Sequence, residues 1–140
     1  MQGFRHKTPI QVRFKDVDMM GHINNAEYFS YVELARLNYF DAVVGKDADW
    51  HDQHGLIMAH FEIDFRQEAS FDDSISVYTR CSKLGTKSFD LNWKIVKGTV
   101  DSEVIVAEGK TIVVCFNYEN KATMDIPPER KEKIRKFEGI

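Results

Sequence analysis

The chain is short of several things, and each shortage removes a class of protein. Among 140 residues there are only two cysteines, three prolines and eight glycines. That excludes a disulfide scaffold, a collagen-like repeat and a low-complexity linker. No apolar run approaches the roughly 18 to 20 residues that a membrane-spanning helix needs. Positive charge is not in excess: 19 Lys and Arg face 22 Asp and Glu, a net charge of −3. Binding to nucleic acid through its phosphates is therefore not expected as the main activity. The first seven residues are polar and lack the apolar core of a secretory signal, so the expected compartment is the cytoplasm.

What is present is the makeup of a globular domain. The hydrophobic share is 43%, the charged share 29% and the aromatic share 12%, with ten Phe. Residues 1–140 are enough for one core and too few for two, so a single domain is expected. Cys81 and Cys115 could pair, but both sit in apolar, strand-like runs, and without a secretory signal they read as buried free thiols. His51 and His54 have no second ligand pair after them, so no metal site is expected.

Residues 11–15 alternate Gln-Val-Arg-Phe-Lys, a period of two that predicts a strand with Val12 and Phe14 on one face. The pattern then breaks over residues 16–25, which suit neither strand nor helix. From Ala26 to about Val44 there is no Gly or Pro, and Phe29, Val32, Arg36, Phe40 and Val43 fall on one helical face. Tyr28, Tyr31, Ala35 and Tyr39 widen that apolar surface, which predicts a largely enclosed helix. Asn24 or Asn25 suits its N-cap and Gly45 its stop. Strands are expected over residues 56–65, 75–84, 88–96 and 104–116, and Pro127-Pro128-Glu129-Arg130 opens a short charged helix. An antiparallel sheet with one helix on a face follows, in the α+β class. Strands this long with one covering helix leave edges open, which favours a homo-oligomer.

The polar break carries the chemistry. It sets Asp16, Asp18, His22, Asn24 and Asn25 directly before the N-terminus of a buried helix. Free N–H groups there can hold a carbonyl oxygen as charge develops on it. A carboxylate opposite them could attack that carbonyl or activate water to do so. Acyl transfer needs that combination.

The pattern Arg13-Phe14-x-Asp16-x-Asp18-x-x-Gly21-His22-x-Asn24-Asn25-Ala26-x-Tyr28, then Tyr31-x-Glu33-x-Ala35-Arg36, resembles the hotdog-fold acyl-CoA thioesterases. The 4-hydroxybenzoyl-CoA thioesterase group is the nearest to it. The resemblance covers nearly the whole chain and implies a five-stranded antiparallel sheet wrapped around one long helix, with protomers paired as a homodimer or homotetramer. It implies that Asp18 is the catalytic carboxylate and that the Asn25 N–H polarises the thioester carbonyl. Lys87 matches a basic residue that contacts coenzyme A phosphates, while two neighbouring arginines of that group are replaced by Gly85 and Thr86. Plant acyl-carrier-protein thioesterases also look similar, with Asp18 and His22 on their catalytic Asp and His, but Met20 stands where they have Asn. No cofactor is implied, and the implied partner is acyl-CoA, with neither nucleic acid nor membrane.

Each residue also has a structural role to fill. Asp18 could cap its own turn, Asp16 could hold the loop through backbone N–H bonds, and His22 could shape it. Gly21 would supply a backbone conformation beside the substrate. Tyr28 and Phe29, nearest the loop, are candidate walls of an acyl pocket. Glu33 and Arg36 read as an intrahelical ion pair. The expected activity is hydrolysis of an acyl-CoA thioester. The alternatives are an acyl-carrier-protein thioesterase and a module that binds acyl-CoA without cleaving it.

Overall fold

The computed structural model describes residues 1–140. Its elements are β1 (His6–Ile10), α1 (Asn25–Val43), β2 (Gly55–Phe65), β3 (Ile75–Leu84), β4 (Ser88–Lys97), β5 (Val104–Asn117), β6 (Ala122–Thr123) and α2 (Pro128–Glu138). The five longer strands pair antiparallel in the order β1-β3-β4-β5-β2. The two-residue β6 pairs with the end of β5. No helix is long and apolar enough to cross a membrane.

The central strands form because alternate residues are apolar and turn to the same face. Val77 and Cys81 of β3, Phe89, Leu91, Trp93 and Ile95 of β4, and Val113 and Cys115 of β5 are all buried. These side chains pack on α1 in two clusters, one around Tyr28, Tyr31 and Ala35, the other around Tyr39 and Phe40. Register shifts at Met58/His60, Cys81/Lys83 and Ile95/Val96 bend the long strands, and the sheet curls around the helix. At Gly109 the strands come closest. A Cβ there would lie 1.9 Å from the Glu62 carbonyl oxygen and 2.8 Å from the Trp93 ring. That indole stacks on Phe61 at 5.4 Å, and its Nε1 donates to Thr111 Oγ1 at 3.0 Å. Both cysteines are free and buried, as read from the sequence. Burial pushes their thiols up to about 12 for Cys81 and about 11 for Cys115, which leaves them inert as nucleophiles.

Two sequence expectations need correction. The first strand is His6–Ile10, an edge strand that tolerates Pro9, and residues 11–15 are not a strand. Phe14–Asp16 is a 3-10 turn, because the Asp16 carboxylate accepts from the Arg13 backbone N–H at 3.0 Å and curls the chain back. The buried face of α1 is also rotated by about one residue from the expected stripe. Tyr28, Tyr31, Val32, Ala35, Tyr39 and Phe40 are buried, whereas Phe29 is exposed along with Leu34 and Leu37. Ala35, fully buried, lies on the buried side. Within one chain the helix is thus enclosed on one side only.

Candidate active site

The loop before α1 is built as a tight hairpin. Val17 bridges Ile23, the Asp18 N–H donates to the His22 carbonyl at 2.8 Å, and the Gly21 N–H donates to the Asp18 carbonyl at 3.0 Å. Gly21 has φ +80°, the left-handed region that such a loop requires after a turn at Met19 and Met20. Nothing lies within 4 Å of where its Cβ would be, so conformation and not close approach explains this glycine. A second layer fixes the hairpin to the sheet. His22 bridges Ser70, and the Ile23 N–H donates to the Ala69 carbonyl at 2.7 Å.

The two aspartates of this loop have separate surroundings. Asp16 is fully buried. It accepts from Tyr31 Oη at 2.8 Å, from the Arg13 N–H, and from the Arg13 guanidinium at 3.0 Å. Burial alone would raise its pKa, but the Arg13 N–H, the Tyr31 hydroxyl and the Arg13 charge together hold it below the ordinary carboxylate value. Asp18 is exposed. Its Oδ1 accepts from the Met20 N–H at 2.9 Å and the His22 N–H at 3.1 Å, so it does cap its own turn. The other oxygen, Oδ2, has no partner in the chain and remains available.

A cleft of about 280 Å³ opens beside this oxygen, lined by Asp18, His22, Ile23, Asn24, Asn25, Tyr28 and Glu68. Asn24 is the N-cap of α1, and its side chain accepts from the Ala26 N–H at 3.1 Å. Its carbonyl accepts from the Glu27 N–H at 2.9 Å. The Asn25 N–H has no acceptor in the chain, and Asn25 lines the cleft at the positive end of the helix. Tyr28 forms part of the floor, its hydroxyl pushed up to about 12 by burial and then by the Asp73 charge, so it stays a neutral group.

The structure therefore lines one cleft with Asp18, His22, Asn25 and Tyr28, places Gly21 in the hairpin beside it, and separates two other residues from them. Phe29 points around the helix to Phe61, with ring centroids 5.0 Å apart, and takes no part in the cleft. Lys87 lies in the turn between β3 and β4, paired loosely with Asp125 at 3.9 Å. The cleft sits by the segment that leads into β3, so the ten residues of that strand, roughly 30 Å, separate it from Lys87. Glu33 and Arg36 form the expected intrahelical pair, with Arg36 donating at 3.2 Å and 2.8 Å, which occupies both oxygens. Sequence reasoning missed Glu68, whose carboxylate is 3.4 Å from His22 Nδ1. Nothing local marks it, because only the bridge from His22 to Ser70 brings the two segments together. No group of three or more His, Cys, Asp or Glu side chains converges as metal ligands would.

The profile of the thioesterase-like superfamily matches residues 12–134. The long-chain acyl-CoA thioesterase FadM of Escherichia coli (strain K12) is 26% identical over 135 residues, covering 94% of this chain and 98% of that protein. A thioesterase from Thermus thermophilus, solved with coenzyme A and Zn, superposes with TM-score 0.83 at 30% identity over 100% of this chain and 98% of its own. A mutant 4-hydroxybenzoyl-CoA thioesterase complexed with 4-hydroxybenzoyl-CoA shares the fold, with TM-score 0.80 at 19% identity over 91% of this chain and 96% of its own. With the family profile spanning residues 12–134, the chain belongs to the thioesterase-like superfamily and is a thioester hydrolase of hotdog fold.

Proposed function

We propose that the protein hydrolyses acyl-CoA thioesters, with Asp18 supplying the attacking or proton-accepting carboxylate and the Asn25 N–H holding the oxyanion. The observation that carries this reading is the pairing of an unpartnered Asp18 Oδ2 with an unpartnered helix N-terminal N–H in one cleft. Family membership and the activity of the FadM relative on long-chain acyl-CoA support the substrate class.

In the reaction, the thioester carbonyl oxygen accepts from the Asn25 N–H, and the partial positive charge of the helix end offsets the charge that builds there. Asp18 then either adds to the carbonyl carbon, expels coenzyme A as thiolate and leaves a mixed anhydride for water to open, or takes a proton from water that adds directly. Both routes end in the free acid and the CoA thiol. His22, with Nδ1 turned toward Glu68, leaves Nε2 to hold the water or meet the departing sulfur. The oligomer belongs to the same proposal. β2 is an open sheet edge that carries the exposed Phe65, and Phe29, Leu34 and Leu37 are exposed on α1.

Asp18→Asn tests the assignment cleanly, because an amide oxygen can still accept from the Met20 and His22 N–H groups. Turnover of an acyl-CoA panel, read as free thiol, is expected to fall at least about a hundredfold while the melting temperature holds. Near-wild-type turnover would remove Asp18 from the chemistry. Parallel assays with acyl-carrier-protein thioesters decide between carriers, and tight acyl-CoA binding without any thiol release would mark a binding module.

A further inference from the structure

We propose that the apolar groove on the other side of Asp18 from the polar cleft is the acyl subsite, and that it receives an unbranched aliphatic chain. This rests on the acyl-CoA hydrolase reading above and specifies which acyl groups that site takes. The groove measures about 750 Å³, against 280 Å³ for the cleft, and is lined by Phe14, Val17, Asp18, Met19, Gly21 and Phe71. Asp18 is the one residue common to both cavities. A thioester held at its carboxylate would have its carbonyl in the polar cleft and its chain free to enter the groove.

The alternatives within the chain are closed. The cleft floor is made by Ile23 and Tyr28, buried at 4% and 1% exposure, and the space behind them is filled by Tyr31, Ala69, Trp93 and their neighbours. Of the cavities in the structure, Asp18 borders this cleft and the apolar groove alone. The groove's surface has no account in folding. Of its lining residues, Phe14 is 83% exposed, Phe71 44% and Met19 fully exposed. A loop tip gains no stability from apolar side chains held in water, so their use there points to a ligand. Phe14 and Phe71 stand edge to face with ring centroids 6.3 Å apart and form one wall. Met19 supplies an unbranched, adaptable side chain suited to a flexible chain. No charged group except Asp18 faces the groove, which disfavours the phosphates of coenzyme A there and suits a hydrocarbon.

The test is the dependence of kcat/KM on chain length from butyryl- to palmitoyl-CoA, for the wild type and for Met19→Ser combined with Phe71→Ser. Full burial of a methylene is worth about fourfold; a groove open on one side should give about twofold per methylene, or about 250-fold between four and twelve carbons. In the double variant that preference should collapse below about tenfold. A flat chain-length dependence in the wild type, or an undiminished preference in the variant, would overturn the proposal. So would sedimentation showing that the substitutions dissociate an oligomer, since the groove would then be covered by a second copy. Calorimetry with non-hydrolysable alkyl-CoA thioethers separates this inference from the reading beneath it. Length-dependent affinity that the variant loses, in a protein that turns over no thioester, supports the groove and sinks the hydrolase. Turnover with length-independent affinity sinks the groove alone.

Discussion

Asp16 and Asp18 are two residues apart in one motif and have opposite environments, and the difference is testable in acid. The Asp16 carboxylate is stabilised by groups it meets only in the folded state, so its folded pKa lies below the unfolded value of about 3.9. Between those two values the unfolded chain binds the proton and the folded chain does not, so stability rises with pH there. The contribution is complete above about pH 4 and is lost as pH falls through the folded pKa. Asp16→Asn removes it, and the gap in melting temperature between wild type and variant should narrow as pH is lowered from 7 to 3. At pH 7 Asp16→Ala, which leaves the Tyr31 hydroxyl and Arg13 N–H without an acceptor, should cost about 2 to 4 kcal/mol in urea unfolding. The motif was legible in the sequence, while the choice of Asp18 over Asp16 as the reacting carboxylate came from the resemblance and not from the spacing. Glu68 was not legible, since its approach to His22 depends on a bridge between segments far apart in the chain.

At the scale of elements, α2 is the part whose role the sequence understated. It read as a short charged helix, yet it runs over Pro128–Glu138 and buries Ile134 in the second core cluster. Its last residue reaches inward. Glu138 accepts from Tyr39 Oη at 2.5 Å and from the Cys81 N–H at 2.7 Å, which ties α2 to α1 and β3 at once. Burial and then this bond raise the Tyr39 hydroxyl far out of the physiological range, so it acts as a donor only. At the other end of α2, Arg130 donates to the Asp49 carbonyl at 2.7 Å and lies 4.4 Å over the Trp50 ring. Glu138→Ala should therefore cost about 2 to 4 kcal/mol and speed amide exchange throughout α2, because it strands two buried donors. Glu138→Gln keeps an acceptor and should lose less than half as much. A wild-type exchange pattern in Glu138→Ala would show that the helix is held by Ile134 and its neighbours instead. The rotation of α1 has the same origin: apolar residues cover most of its circumference, and periodicity cannot say which side meets the sheet.

For the whole molecule, β2 presents an open edge and α1 an exposed apolar side, and Lys87 lies roughly 30 Å of strand away from Asp18. If Lys87 serves the phosphates of coenzyme A, it serves the site of a second copy. Sedimentation equilibrium at micromolar concentration is expected to return at least twice the 16.3 kDa of one chain. Lys87→Ala should then raise KM a few-fold with little change in kcat, and added salt should shrink the effect, as for an exposed lysine worth about 1 kcal/mol or less. A 16 kDa monomer with full activity would count against both the shared site and the role of Lys87.

Sequence by itself determined the strands of the central sheet, the helix and its N-cap region, the free thiols, and the loop that carries Asp18, Gly21, His22 and Asn25. These are local properties: period-two burial, capping chemistry and a glycine-dependent turn act over a few residues, and a single chain displays them directly. Tertiary structure alone decided the placement of β1 before and not after Gln11, the face of α1 that is buried, the separation of Phe29 and Lys87 from the cleft, and the arrival of Glu68 and Phe71 beside Asp18. Those outcomes depend on how a bulged sheet curls about the helix. Contacts between distant segments follow from that curvature, and no spacing within the motif encodes it.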